Sequence, residues 1–477
     1  MIPTVDYIRI LPELVLSVFG IVIMLVDPAL PAKSSKRTLG VIALVGVLAG
    51  LLATVIQAQN YGDAFFNMVR VDTFSVFFLF VVLLIALVVI LSSFNYLEVQ
   101  HIHSGEYYAL ILFGAVGMML MASAIELVLI FIGIEISSIS TYVLAGFRRR
   151  AAESAESSLK YFLLGSFATA FFLYGVALVF GATGTTNVYT VAKALQTQSS
   201  ALVYLAVAFM FVGLGFKVAS APFHVWTPDV YEGSPAPVVA LMSTGPKAAA
   251  FAVLLRVLFA SGAPGWFWMV WVSAALSMTL GNIGALVQNN IKRLLAYSSI
   301  AHAGYLLVAF AAARESGISA AIFYAASYAA MNVGAFAIVA HLASEGERYV
   351  TLDDYAGLGR RSPLLAAILT IFLLSLIGIP ITGGFFAKFY VFSAALQANL
   401  VGLTIIGVIN SAIAAYYYLR VIVYMYMRDE RTEAPVAGIP AGLGVGLAIS
   451  LIAVIYLGVL PGRVLDYALR GAQDLIR

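Results

Sequence analysis

The sequence contains no cysteine and few charged residues. None of the 477 residues is cysteine, which excludes disulfides, thiolate metal sites, thiolate-bound iron–sulfur clusters and c-type haem attachment within this chain. Asp, Glu, Lys and Arg together make up 10% of the residues, whereas a soluble domain has about 25%. So few charges cannot cover a surface that faces water.

Apolar residues are abundant instead. They account for 62% of the chain, and the mean hydropathy is +1.00. The solvent of this protein is therefore largely lipid. A net charge of +3 is too small to indicate nucleic-acid binding. The sequence also has no Gly-rich phosphate loop, dinucleotide fingerprint or nucleophile elbow, so we expect no nucleotide, metal or redox cofactor in this chain.

Hydrophobic segments divide the whole sequence. A helix needs roughly 20 mostly apolar residues to cross a bilayer, and this criterion predicts an all-α polytopic membrane protein of about fourteen transmembrane helices. The predicted spans are Ile8–Val26, Thr38–Gln57, Thr73–Tyr96, Tyr107–Ala124, Leu127–Phe147, Leu159–Gly181, Ala201–Pro222, Pro237–Ala260, Trp266–Gln288, Leu294–Ala313, Ile318–Ala343, Pro363–Leu396, Leu400–Tyr426 and Gly438–Leu460.

Two spans contain helix breakers. Span 12 would be about 51 Å long as one helix, and it holds the run Gly378-Ile-Pro-Ile-Thr-Gly-Gly384; span 7 has Pro222 shortly after Lys217. Broken backbone at membrane depth is tolerated only where protein or a wet cavity surrounds it. Breaks at corresponding places in two halves indicate a transporter with internal repeats. The alternative is an ordinary proline kink in each span.

Basic residues are concentrated in the loops after odd-numbered spans. Those loops hold Lys33, Lys36, Arg37, Arg148, Arg149, Arg150, Lys292, Arg293, Arg348, Arg360, Arg361, Arg428 and Arg431, whereas loops after even-numbered spans hold Arg70, Lys193 and Arg314. The positive-inside rule then predicts that the odd loops are cytoplasmic and that both termini lie on the periplasmic side of a bacterial inner membrane.

Ionisable residues also occur inside the spans. A charge at the bilayer centre costs about 2.5–3.5 kcal/mol on insertion scales, so such residues need partners or a wet path. A row of buried lysines next to a carboxylate can pass a proton. Lys160 could instead reach the interface near Glu156, and His302 could be a hydrogen-bonded core residue. Arg256 and Arg420, near span ends, are expected to be interfacial anchors. The row comprises Glu135, Lys160, Lys217, Lys247, His302 and Lys388.

A proline-rich segment follows span 7. Residues 220–235 carry His224, Asp229 and Glu232 among three prolines. They match neither a zinc site nor a catalytic triad. The segment is interpreted as a region where protons enter or as a rigid loop, with a weak metal site as a less favoured reading.

Two motifs resemble a known family. The run Ala-Pro-Phe-His-Val-Trp-Thr-Pro-Asp-Val-Tyr-Glu-Gly-Ser-Pro at residues 221–235 and the run Asn-Ile-Lys-Arg-Leu-Leu-Ala-Tyr-Ser-Ser-Ile-Ala-His at residues 290–302 are similar to signatures of the antiporter-like subunits of respiratory complex I. The first motif is highly specific, and the resemblance covers nearly the whole chain. Large subunits of multi-subunit sodium/proton antiporters are relatives of that family.

The resemblance implies a fold and a role for each site residue. The fold would have two inverted five-helix repeats, spans 4–8 and 9–13, with broken spans 7 and 12. It divides the chain into 1–106, 107–261, 262–428 and 429–477. Glu135 would pair with Lys217, and Lys247 would link the two half-channels. His302 would be a relay, Lys388 the residue on the exit side, and Lys160 a modulating lysine near Glu135.

Within the family, the chain is most similar to the N branch. It stops at about fourteen spans without a long lateral helix, and it has Lys388 where the M branch has a glutamate. The resemblance implies a proton-translocating subunit of NADH–quinone oxidoreductase, next to an M-type subunit and small membrane subunits. FMN, iron–sulfur clusters and quinone would belong to partner subunits. The alternatives are a subunit of a sodium/proton antiporter, a free-standing symporter and a scaffold subunit.

Overall fold

Helices form almost all of the computed structural model, which describes residues 3–31, 34–195, 201–261, 265–430 and 438–476. Lys33 and Arg431, two of the predicted loop charges, lie outside the described residues. The first helices are α1 (Thr4–Arg9), α2 (Leu11–Val26), α3 (Arg37–Gln57), α4 (Thr73–Val99), α5 (Glu106–Ser123), α6 (Leu127–Ala145), α7 (Ala152–Thr183), α8 (Val188–Leu195), α9 (Ala201–Val218) and α10 (Thr227–Gly233).

The second half of the chain continues in the same way. Single turns of 3₁₀ helix cover Asp27–Ala29, Glu345–Glu347 and Leu352–Tyr355. The remaining helices are α11 (Ala236–Ser261), α12 (Trp266–Leu286), α13 (Ile291–Ala311), α14 (Glu315–Leu342), α15 (Leu358–Arg361), α16 (Pro363–Ile377), α17 (Gly383–Gln397), α18 (Val401–Met427), α19 (Ala441–Val459) and α20 (Pro461–Ile476).

Fourteen spans are present among the described residues, and two of them are broken. Thirteen helices are long and apolar enough to cross a membrane on their own. The shorter apolar helix α16 adds the fourteenth span together with α17. Span 7 is α9, which ends at Val218 and is followed after a break by the short helix α10. Span 12 consists of the two half-length helices α16 and α17. Both predicted breaks are therefore confirmed.

The two breaks occupy equivalent places in two sets of five spans. Spans 4–8 run from α5 to α11, and spans 9–13 run from α12 to α18. Each set has its break in the fourth span. Because five is odd, the second set enters the membrane from the side opposite to the first, which is the geometry of an inverted repeat. We call the side with the loops after odd-numbered spans the basic face.

Two elements were not predicted. After span 2, strands β1 (Gly62–Ala64) and β2 (Val69–Val71) pair antiparallel in a short hairpin. After span 14, the amphipathic helix α20 packs across α4 and α14. Its sequence signal is the apolar spacing Val464, Leu465, Ala468, Ala472 and Leu475, which is the period of a surface helix rather than of a span.

The expectation that Arg256 is an interfacial anchor was wrong. Arg256 is 0% exposed and forms an ion pair with Asp72 at 3.1 Å. Arg420 donates to the backbone carbonyls of Leu286, the last residue of α12, and of Gln288, and its place as an interfacial anchor stays a prediction. Both guanidinium groups bind oxygen atoms of the protein, with which a cation forms charge-assisted hydrogen bonds.

The best-covered helices lie at the centre of the bundle. Nearly all residues of α11 and α13 are buried between other helices, and α4 and α14 are almost as well covered. Helix α11 carries Lys247, and α13 carries His302. The middle of the predicted charge row is therefore enclosed by protein rather than by lipid.

Candidate functional site

The break in span 7 leaves Lys217 without a hydrogen-bond partner. Lys217 is the last residue but one of α9, and Ala219 then adopts a left-handed backbone with φ +57° that ends the helix. The side chain is 4% exposed, and no acceptor lies within hydrogen-bond distance of Nζ. The ammonium lies 5.8 Å from the ring centroid of Tyr142 and 5.9 Å from that of Tyr161.

Glu135 lies on the neighbouring helix α6. It precedes Tyr142 by two turns on the same helical face. Its Oε1 atom is buried and has no hydrogen-bond partner. Glu135 and Lys217 thus form no direct hydrogen bond in this structure, although each would gain from a partner, since an unpaired buried charge is costly.

Lys247 is held by the second half of the protein. Its ammonium donates to the backbone carbonyl of Ser299 at 2.8 Å and to Ser299 Oγ at 2.6 Å. Tyr328 donates its hydroxyl proton to the same Oγ at 2.8 Å. Because Lys247 belongs to span 8 and Ser299 to span 10, these bonds cross from the first repeat to the second.

His302 has a hydrogen-bond partner at each ring nitrogen. Nδ1 lies 2.7 Å from the Tyr324 hydroxyl, and Nε2 lies 3.3 Å from the Tyr418 hydroxyl. The His302 ring also packs on Tyr328, with the centroids 5.1 Å apart. An imidazole with a partner at both nitrogens can accept a proton on one side and release one on the other.

The break in span 12 is filled by Lys388. Its ammonium donates to the carbonyls of Leu376 at 3.1 Å and Ile377 at 2.8 Å, and to Ser411 Oγ at 2.9 Å. The two carbonyls belong to the last turn of α16, where backbone acceptors lack helical partners and attract a cation. Gly378, with φ +95°, ends that helix.

Uncharged polar side chains connect His302 to Lys388. The Tyr417 and Tyr418 rings are in contact, with centroids 4.4 Å apart. Tyr417 donates to Asn282 Oδ1 at 3.0 Å, and Asn282 donates to the Tyr305 hydroxyl at 3.2 Å. The Tyr305 ring lies 4.9 Å from Lys388 Nζ.

Sequence reasoning missed these connecting residues. The search for charges inside spans passed over the serines, tyrosines and asparagine, because neutral polar residues are common in membrane helices. A signal was present in Asn282, since an amide in mid-span also requires partners. The spacing of Ser298, Ser299 and His302 on one helix was a second signal.

The proline-rich segment forms part of a polar cavity on the basic face. Asp229 accepts from Lys160 at 2.9 Å and from Arg293 at 2.7 Å, and Arg293 also reaches Glu232 at 2.8 Å. These groups border a cavity of about 360 Å³ that extends to Lys292 and Glu347. His224 is not among its lining residues.

The structure does not bring all of the other predicted site residues together. The His224 Nδ1 atom is buried in the break without a hydrogen-bond partner. Lys160 is bound by Asp229 and by Glu156 at 2.7 Å rather than by Glu135. In the described part of the chain, no group of three or more His, Cys, Asp or Glu side chains is placed to hold a metal ion.

Broken helices and buried lysines of this kind define an antiporter-like membrane subunit. A family model described as NADH:quinone oxidoreductase/Mrp antiporter, TM, matches residues 124–414. NADH-quinone oxidoreductase subunit N 2 of Koribacter versatilis is 72% identical, over 100% of this chain and 99% of the relative. NADH-quinone oxidoreductase subunit N 1 of Solibacter usitatus is 48% identical, over 98% of each. The chain belongs to the NADH:quinone oxidoreductase/Mrp antiporter transmembrane family, in its subunit N branch.

Solved structures agree with this family. A chain of respiratory complex I from Thermus thermophilus with bound aureothin superimposes with a TM-score of 0.83 at 37% identity, covering 95% of this chain and 98% of that one. A chain of the Mrp complex from Dietzia sp. reaches a TM-score of 0.85 at 22% identity, covering 97% of both. The second likeness shows a common fold only.

Proposed function

We propose that this chain is a proton-translocating membrane subunit of NADH–quinone oxidoreductase. Two relatives that this chain matches over almost their whole length are named NADH-quinone oxidoreductase subunit N 2 and subunit N 1. The observation that carries the proposal is the row of buried ionisable groups that begins at Glu135 and Lys217 and ends at Lys388, with Lys247 bonded across the junction of the repeats. NADH oxidation and quinone reduction would take place in partner subunits and supply the free energy.

The proton would move by opening and closing the contact between Glu135 and Lys217. When the two groups move apart, the Lys217 ammonium would lose its counter-charge and its proton would pass to Lys247. From Lys247 it would pass by way of His302 to Lys388 and then leave on the opposite face. Moving one charge through about 100 mV requires about 2.3 kcal/mol, which one partly buried ion pair can supply.

The cavity on the basic face is suited to proton uptake. Asp229 and Glu232 would collect protons there, Lys160 would modulate them, and His224 lies deeper in the break of span 7. By the positive-inside rule the basic face is cytoplasmic, so both termini are periplasmic and the membrane is the bacterial inner membrane.

The proposal includes the neighbours of this chain. FMN, iron–sulfur clusters and quinone would be held by other subunits, and the chain itself would bind no cofactor. An M-type subunit and small membrane subunits would flank it. The division at residues 1–106, 107–261, 262–428 and 429–477 follows the two repeats, with an added N-terminal three-helix segment and a C-terminal segment.

Glu135→Gln and Lys217→Met test the proposal in the assembled complex. In inverted membrane vesicles we expect each variant to lower NADH-driven proton uptake and coupled quinone reduction at least about tenfold, or ~1.4 kcal/mol in barrier. NADH oxidation by an artificial acceptor should not change. Lys193→Met, at an exposed lysine of α8, is the matched control.

Two results would count against the proposal. Wild-type proton uptake per electron in both variants would remove Glu135 and Lys217 from the pathway. Activity that requires sodium and persists without NADH-driven electron flow would favour the sodium/proton antiporter instead.

A further inference from the structure

A buried carboxylate lies outside the charge row. Glu347 closes the 3₁₀ turn Glu345–Glu347 in the loop between spans 11 and 12, and it is 7% exposed. Its side chain accepts from Lys292 Nζ at 2.6 Å and from the Tyr96 hydroxyl at 2.7 Å. It also accepts from the backbone N–H of Ala236 at 2.7 Å, and Arg148 lies 3.4 Å away.

These contacts join the ends of two helices. Ala236 is the first residue of α11, whose free N–H groups and positive dipole end attract an anion. Lys292 is in the first turn of α13, and it also donates to the backbone carbonyls of Glu232 and Ser234 at the end of span 7. One carboxylate therefore fixes the starts of α11 and α13 relative to each other.

The same two helices carry the contact between the repeats. Along α11, Lys247 follows Ala236 by about 16 Å, and along α13, Ser299 follows Lys292 by about 10 Å. Because backbone hydrogen bonds hold each helix together along its axis, a relative shift of the two helix starts would be passed on to the Lys247–Ser299 contact. Pro246, which removes one backbone bond of α11, lies directly before Lys247. Those bonds are 2.6 and 2.8 Å long, and hydrogen bonds weaken once they lengthen beyond about 3.2 Å.

Glu347 is held in its charged form. Burial alone would raise the pKa of its carboxyl group, but the nearby charges of Lys292 and Arg148 outweigh burial and lower it. A charged carboxylate with three hydrogen-bond donors and a second cation nearby is a firm anchor. Glu345, two residues earlier, has an exposed side chain (67%) that lies 3.7 Å from His101.

We infer that Glu347 is a positioning residue for proton transfer between the repeats: it ties α11 to α13 so that Lys247 stays in contact with Ser299. This inference rests on the proposed function. It adds a residue from a loop outside the membrane to a step that takes place inside it.

Glu347→Gln in the assembled complex tests the inference. Glutamine keeps the size of the side chain but removes its charge from Lys292 and Arg148. We expect NADH-driven proton uptake per assembled complex to fall about fivefold to tenfold, or ~1–1.4 kcal/mol. Glu345→Gln should stay within about twofold of wild type, as expected for an exposed pair.

A double-mutant cycle with Ser299→Ala separates positioning from a structural role. Ser299→Ala removes the Oγ acceptor of Lys247 and leaves the backbone carbonyl. If Glu347 acts through the bond from Lys247 to Ser299 Oγ, adding Glu347→Gln to Ser299→Ala should lower proton uptake by less than about twofold more. Multiplying losses would overturn the inference. So would a Glu347→Gln complex that is less abundant but pumps normally per assembled complex.

A second variant covers poor assembly. If the complex with Glu347→Gln does not assemble, Glu347→Asp tests the inference instead. This variant keeps the charge of the side chain and shortens it by one methylene. It should lower proton uptake alone but not in the Ser299→Ala background. Wild-type uptake in Glu347→Asp, or losses that multiply, would refute the inference. A failure of Glu135→Gln and Lys217→Met to lower pumping would instead refute the proposed function.

Discussion

The two broken spans satisfy the free backbone carbonyls at their helix breaks in different ways. In span 7 the carbonyl of Phe216, at the broken end of α9, accepts a hydrogen bond from the Trp226 indole at 3.2 Å. Lys217 next to it then has no partner. In span 12 the carbonyls of Leu376 and Ile377 are bound by Lys388 itself.

The comparison shows that a buried lysine beside a helix break can have two different roles. Lys388 binds the free backbone carbonyls of its break, whereas Lys217 binds none in span 7. The Lys217 ammonium is therefore available for the proposed pairing with Glu135. The two lysines are almost equally buried, at 6% and 4% exposed, so burial does not distinguish them. Their hydrogen-bond partners do.

The largest expected effect is a difference in thermal stability between the Lys388→Met and Lys217→Met variants. Both should lower NADH-driven proton uptake at least about tenfold. Only Lys388→Met should lower the thermal unfolding midpoint, because it leaves two carbonyls and Ser411 without a donor, at about 1–3 kcal/mol for each unsatisfied group. Vesicle pumping assays and thermal unfolding of the purified complex measure both. Equal shifts of the midpoint would remove the contrast between the breaks.

Alanine substitutions at Gly384 and Gly215, one glycine near each break, test the same difference between the two spans. A Cβ at Gly384 would collide with the backbone carbonyl of Ser375, whereas a Cβ at Gly215 would lie 2.6 Å from the Phe223 ring. A side chain can turn away and a backbone carbonyl cannot. We expect Gly384→Ala to cost about 1–3 kcal/mol or more and Gly215→Ala distinctly less, measured as the yield and unfolding midpoint of the assembled complex. Wild-type assembly of Gly384→Ala would contradict this.

Tyr418→Phe tests the connection between His302 and Lys388 in the second repeat. It removes the hydroxyl that contacts Ser298 and His302. Pumping should fall several-fold, with a loss of stability of about 1 kcal/mol. Tyr416→Phe is the control, since Tyr416 is on the same helix with 62% of its surface exposed. An unchanged pumping rate in Tyr418→Phe would exclude this hydroxyl from the path.

Lys160→Met should have the smallest effect. Lys160 is 41% exposed and shares its charge with Glu156 and Asp229, and exposed ion pairs contribute little. We expect proton uptake to change by no more than about threefold. A loss as large as that of Lys217→Met would mean that Lys160 acts on the central pair, as the family resemblance implies.

The helix breaks and the charge row followed from the sequence. Lipid penalises free backbone groups and charges so strongly that Pro222, the run at residues 378–384 and each mid-span lysine stand out as exceptions. The spans themselves were predicted for the same reason. Helix α20 was missed because it follows the rule for an amphipathic surface helix, and the hairpin was missed because its strands are only three residues long.

The partner of each charge was decided only by the tertiary structure. The sequence could not separate the unpartnered Lys217 from the carbonyl-bound Lys388. It also could not show that Lys247 meets Ser299, 52 residues away, or that Arg256 meets Asp72, 184 residues away. Lipid tails are as apolar as the packed faces of the helices, so hydrophobicity marks the spans but not which spans touch. The composition thus predicted that the protein lies in the membrane, whereas only the packing of the helices determined which residues connect one repeat to the other.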